Sequence, residues 1–156
     1  MTVQVRVRSS YITPVVLFKT ITGSRTMNLS NLFESAEIQS LAADFVEDAK
    51  ANVKRWFGSG TFQEICEEPG NCAMVSEQFV SWLRDKNVNA TMITVSTAKN
   101  PSWAKHAGVL PGSEDDVHTA VIVGSNVVDF TAKQFDKSMP SIRIIPLSKF
   151  KSEWEQ

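Results

Sequence analysis

Three residues of this chain have the chemistry of a nucleophile, a base and an orienting acid: Cys72, His118 and Asp129. Pro69-Gly70 is a turn pair that stops one segment. Asn71 can cap a new helix, which puts Cys72 in its first turn. A thiol there feels the positive end of the helix dipole, which favours thiolate over thiol. Val75, Phe79, Val80 and Leu83 follow at the spacing of a helix face packed on a core. Taken alone, Cys72 also fits a packing role, because free cysteines are often buried and inert.

His118 opens the β-rich run His118–Val123, Gly124-Ser125-Asn126 forms a turn, and Val127–Thr131 returns. A two-residue turn at Ser125-Asn126 sets Asp129 opposite Ile122, and one at Gly124-Ser125 sets it opposite Ala120; both put it on the same sheet face as His118, and the second brings the two closer. The two are then diagonal neighbours, roughly 7–8 Å apart at the backbone and within side-chain reach. An aspartate beside a histidine fixes its tautomer and stabilises its cation. Singly, His118 reads as a hydrogen-bonded strand-end histidine and Asp129 as a turn residue capping Thr131. Together with Cys72 they make a Cys–His–Asp triad if the Cys72 helix packs on the face to which His118 points.

The elements that must position these residues describe an α+β fold, with helices packed on an antiparallel sheet and the Cys72 helix central. Val3, Val5 and Val7 alternate with Gln4, Arg6 and Arg8 as a half-buried strand. Tyr11–Phe18 is β-rich, and Pro14 confines it to an edge or splits it. Ile38, Leu41, Ala42, Phe45, Val46, Ala49, Val53 and Phe57 predict a helix over Ser35–Phe57, stopped by Gly58-Ser59-Gly60. Thr61–Gly70 reads as a short connector. The Cys72 helix ends near Asn87, and Val88–Val95 is a strand. Ser96 to Val117 is a connection of about twenty residues without periodicity, a length often found in functional lids or binding loops. Ser141–Pro146 is a last strand, and Leu147–Glu155 a short helix with Trp154 as an anchor.

The chain has 156 residues, which suggests a single domain. The formal net charge is -1, from 16 basic and 17 acidic residues, so no global charge points to nucleic acid or an anionic membrane. No stretch approaches a membrane span of about 20 apolar residues. Met1–Arg8 lacks a signal peptide's apolar region, so a cytoplasmic or intracellular location is expected. Cys66 and Cys72, six positions apart, make neither a disulfide framework nor a zinc set. No phosphate loop, H-E-x-x-H or EF-hand pattern is present, and no metal or organic cofactor is required by the chemistry above.

Gly70-Asn71-Cys72 on a helix, His118-Thr119-Ala120-Val121 on a strand and Val127-Val128-Asp129-Phe130-Thr131 on the next resemble the papain-like fold in its broad sense. That group includes transglutaminase-like enzymes, NlpC/P60-like enzymes and papain-fold deamidase toxin domains. The resemblance covers residues 60–135; residues 1–57, with the N-terminal strands and long helix, and 136–156, with the last strand and helix, carry none. It implies that Cys72 is the nucleophile, His118 the general base and acid, and Asp129 the orienting group. The activity implied is hydrolysis or acyl transfer at an amide bond of a protein or peptide, by a peptidase, amidase, deamidase or transglutaminase-like route. The alternative is an inactive papain-like module kept for binding or structure, with the N-terminal strands as the surface for a partner or for oligomer assembly.

The chain departs from that pattern in one respect. Papain-like peptidases carry a glutamine a few residues before the cysteine to help form the oxyanion hole. Here Gln63 is nine before, and position 66 is a cysteine. The backbone N–H of Cys72 is the other usual donor, and Asn71 is a further polar candidate whose more natural use is as a helix cap. Trp103, in the long loop, can line a cleft. His106 reads as a surface histidine, Cys66 as a buried thiol, and Glu114-Asp115-Asp116 as a solvated acidic loop.

Overall fold

The computed structural model describes residues 29–96 and 117–154, with side chains from residue 34 onward in the first helix. The expected N-terminal strands (3–8 and 11–18) and the loop residues Trp103, His106 and 114–116 lie outside the described residues. Four helices and a four-stranded antiparallel sheet make up the described part, an α+β arrangement.

Helix α1 spans Leu29–Phe57, with a kink at Asn52, where φ is -115° and ψ is 15°. Ile38, Ala42, Phe45 and Ala49 recur at three- and four-residue steps and are buried, as the periodicity predicts. The helix begins six residues before the expected Ser35. Glu34 in that extra turn accepts the Ser125 N–H at 2.9 Å, across the fold on the turn between two strands. A contact of that range leaves no local signal. It also shapes its partner: Gly124 has φ +59°, and a Cβ there would stand 1.8 Å from Glu34 Oε1.

The segment expected as a connector holds a helix, α2 (Phe62–Glu67). Its start is a capping box, with Thr61 Oγ1 accepting from Glu64 N and Glu64 Oε2 accepting from Thr61 N. Phe62, Ile65 and Cys66 are the residues it buries. Helix α3 follows as Cys72–Asp85. Asn71 precedes it but makes no side-chain cap, which corrects that expectation. Its backbone is already helical (φ -84°, ψ 0°), and its amide donates instead to Ile65 O at 3.1 Å and Glu68 Oε2 at 3.3 Å. The far end of α3 closes as a Schellman motif: Asn87 adopts φ +59°, its N–H donates to Arg84 O, and Val88 N donates to Leu83 O.

The strands are β1 (Ala90–Ser96), β2 (Val117–Val123), β3 (Asn126–Asp129) and β4 (Arg143–Pro146), and they pair in that order. Val123 faces Asn126, so of the two turns the sequence leaves open Gly124-Ser125 is the one that forms. The return strand ends at Asp129 rather than Thr131, and a 3-10 helix over Ala132–Gln134 follows. Helix α4 (Leu147–Trp154) closes the described chain.

Alternation along β2 divides the interior. Val121 and Val123, with Val128 and Phe130, join α1, α2 and α3 in one core. Its centre is aromatic: Phe45 lies 4.8 Å from Phe79 and 5.1 Å from Phe130, centroid to centroid. Ala120 and Val127 face the other way and meet Val95, Phe135, Phe150 and Trp154 in a second core. The sheet is therefore sandwiched between α1–α3 on one face and α4 on the other. His118 has the parity of Ala120, so it belongs to the α4 face.

Candidate active site

That parity corrects one element of the sequence argument, in which the helix over His118 was the Cys72 helix. The helix packed on the His118 face is α4. Cys72 reaches the site by a different route. The β2–β3 register runs only from Val123↔Asn126 to Val121↔Val128, while β3 stays paired with β4 as far as Asp129↔Arg143. The two strands part below Val121, and the first turn of α3 takes up the backbone that β3 leaves. Ser76 Oγ donates to Thr119 O at 3.1 Å, and the Thr119 backbone hydrogen-bonds the Cys72 sulfur. The start of α3 thus fills the gap in the sheet and brings a thiol to the side of His118.

His118 and Asp129 meet as diagonal neighbours. Nε2 lies 2.7 Å from Asp129 Oδ2, with His118 fully buried and Asp129 2 % exposed. Asp129 Oδ1 accepts from Thr131 N at 2.8 Å and Thr131 Oγ1 at 3.2 Å. The carboxylate thus caps the turn with one oxygen and orients the imidazole with the other, where the sequence offered these as alternatives. With Nε2 committed to Asp129, Nδ1 is the nitrogen left to exchange a proton with Cys72. Nδ1 makes no hydrogen bond of ordinary distance and angle among the described residues. The thiol is nevertheless close enough for the two groups to shift each other's proton affinity. Contacts of this looseness are common before substrate tightens a site.

Burial is the largest influence on all three groups, and on each it favours the neutral form. It is overcome in every case. The charge and hydrogen bond of His118, then the Thr131 contacts, hold the Asp129 carboxyl below its ordinary range. Asp129, then Cys72, raise His118 to about 9. Hydrogen bonding and charge from His118, then the backbone of Thr119 and Ala73, bring the Cys72 thiol below its ordinary value. All three shifts run toward the charged forms, a thiolate beside an imidazolium backed by a carboxylate.

The remaining candidates lie elsewhere. Gln63 is exposed on α2, and its amide donates to Glu67 Oε1 at 3.1 Å. It lines a cavity of about 200 Å³ with Phe62, Cys66, Phe130 and Lys133, a space that Cys72 does not line. The Asn71 amide is spent on Ile65 and Glu68. Both amides are thus engaged away from the thiol, and Trp103 lies outside the described residues. Cys66 is buried as expected, and burial, then the charges of Asp129 and Glu67, push its thiol up to about 12.

Other residues at the site carried no signal of their own. Phe135 and Trp154 hold their ring centroids 4.6 Å and 4.8 Å from that of His118, and Phe150 lies at 6.2 Å. Nothing local relates α4 to a histidine some thirty positions earlier. Ser76 had a signal: it is one helical turn after Cys72, on the same face. Among the described residues, no group of three or more His, Cys, Asp or Glu side chains is arranged to hold a metal ion. Nor is any helix among them long and apolar enough to cross a membrane.

Comparison with protein-family models, curated proteins and solved structures finds no match.

Proposed function

We propose that this chain is a thiol-dependent hydrolase or acyltransferase, acting on an amide bond of a protein or peptide through Cys72, His118 and Asp129 on a papain-like core. One observation carries the proposal. A fully buried imidazole is bonded through one nitrogen to a buried carboxylate at 2.7 Å, with the thiol of a helix N-terminus beside it. In this reading the Cys72 thiolate attacks the carbonyl carbon, and the carbonyl π-electrons move onto oxygen. The backbone N–H of Cys72, at the helix start, is the candidate donor to that oxyanion. As the C–N bond breaks, the leaving amine takes the proton held by His118, and a thioester remains. Water or a second amine then attacks the thioester, giving a proton to His118 and releasing the thiolate. Asp129 holds the imidazole in place and stabilises its cation throughout.

Labelling with iodoacetamide across pH tests this without knowledge of the substrate. The expected result is alkylation confined to Cys72 and extending well below the free-thiol value of about 8.5. It should disappear in Cys72→Ala and retreat to the free-thiol range in His118→Ala. Equal reaction of Cys66 and Cys72, only near pH 8–9, would overturn the proposal.

A second reading, a papain-like module kept for binding, is favoured by one observation: the amides of Gln63 and Asn71 are both engaged away from the thiol. A Cys72→Ala chain that keeps its full biological activity would select it.

A further inference from the structure

Gln134 is 3 % exposed, and nothing in its sequence surroundings marks it. It closes the 3-10 helix that follows Asp129, with its N–H donating to Thr131 O at 2.9 Å. Its side-chain Nε2 donates to Glu68 O at 2.6 Å and to Cys66 O at 3.3 Å. Those carbonyls belong to the last turn and C-cap of α2, where helix geometry leaves oxygens without partners. Glu68 O also accepts Asn71 N at 3.4 Å, one residue before Cys72. A single buried amide therefore ties the exit of the Asp129 strand to the chain that delivers Cys72.

The other contacts of this turn do not duplicate that buried link. Gly70 has φ +92° and open space around it, so the bend before Asn71 is not held by packing at that residue. Asn71 anchors to Ile65 O, inside α2, and so follows wherever the end of α2 goes. Ser76 fixes α3 to β2 one turn further along. Without Gln134, the end of α2 keeps the ion pairs of Glu67 with Lys133 at 3.5 Å and Lys137 at 3.6 Å, on long side chains partly in solvent, but loses its buried hydrogen bonds to the Asp129 side of the site.

We propose that Gln134 is a positioning residue, which latches the α2–α3 turn to the Asp129 strand exit and so sets the Cys72 sulfur against His118. The proposal rests on the reading of Cys72 as a nucleophile. The titratable groups that face Cys72 among the described residues are His118 from β2 and, behind it, Asp129 from β3. Loss of the latch would weaken their hold on the thiol while leaving both groups in place.

The test is the pH dependence of Cys72 alkylation by iodoacetamide in the full chain, with each cysteine's labelling read by mass spectrometry. Gln134→Met keeps the length of the side chain and removes its donors. The expected result is a rise of about one pH unit in the midpoint, which is about a tenfold loss of rate in the acid range, with Cys66 still unreactive. If Gln134→Met does not fold by circular dichroism, Gln134→Asn, whose amide is drawn back by one methylene, is read on the same scale with the same expected direction. A midpoint unchanged from a low wild-type value overturns the latch alone. Cys66 becoming reactive together with Cys72 also overturns it, since that is a general loosening of α2. A wild-type midpoint already at the free-thiol value overturns the nucleophile reading, and the latch with it.

Discussion

Cys66 and Cys72 are equally buried, at 6 % exposure each, yet their thiols are driven in opposite directions. Cys66 sits in the last turn of α2, against the aromatic core, with the charges of Asp129 and Glu67 adding to the cost of ionising it. Cys72 sits in the first turn of α3, with an imidazole and two backbone groups beside it. Solvent exposure cannot separate these two residues; only what faces each sulfur does. The same Asp129 takes part in both outcomes. Facing Cys66 it is a repelling charge, whereas its charge reaches Cys72 through a histidine that reverses the sign.

The largest break in this contrast is expected from His118→Ala. With the imidazole gone, only the backbone of Thr119 and Ala73 still opposes burial, and Cys72 should return to the free-thiol range. Iodoacetamide labelling of Cys72 near pH 6 should fall by about a hundredfold, since each pH unit added to the thiol's ionisation midpoint costs about tenfold in thiolate. Asp129→Asn comes next. It removes one partner of a buried pair, and urea unfolding should show a loss of about 3–5 kcal/mol. An NMR titration should find His118 well below its native value of about 9, because burial then dominates.

A smaller effect is expected from pH alone. The His118 value is raised in the folded chain, so its stabilising contribution is complete below its unfolded value of about 6.5. That contribution is lost as pH rises through about 9. Asp129 runs the other way: its contribution is present above the unfolded carboxylate value and is lost as pH falls through its lowered folded one. Urea midpoints measured from pH 5 to 10 should therefore decline on the alkaline side, and His118→Ala should flatten that decline. The smallest change should come from Thr61→Ala, which removes the cap of α2. About 1 kcal/mol of stability should be lost, with the Cys72 labelling profile unchanged.

Much of the site could be read before any coordinates. Period-two alternation was enough to place His118 and Asp129 on one face, because a two-residue turn at Gly124-Ser125 or at Ser125-Asn126 keeps the same parity; the observed register then makes them diagonal neighbours. The helix start at Cys72 was legible from Pro69-Gly70 and the apolar spacing that follows. The capping box of α2 was equally legible in Thr61-x-x-Glu64, yet a run of six residues is too short for periodicity to declare a helix. What could not be read were contacts between distant segments. Glu34 on the hairpin turn, Gln134 on the end of α2 and the rings of α4 over His118 are all set by tertiary packing. The parting of β2 from β3 belongs with them. Parity placed His118 on a face, but only the point where the strands separate explains how a helix on the opposite face reaches it.

The aromatic cover over His118 bears on the order in which the buried charge pair is enclosed. Phe150 and Trp154 lie in α4, which Arg143 on β4 ties to the sheet through a 2.5 Å bond to Glu153. In chain order Cys72, His118 and Asp129 all precede this cover. Without it the His118–Asp129 contact is open to water, where screening weakens it. A chain cut short before residue 150 would carry all three groups without the cover that encloses the His118–Asp129 contact, and the two charges would be weaker partners there.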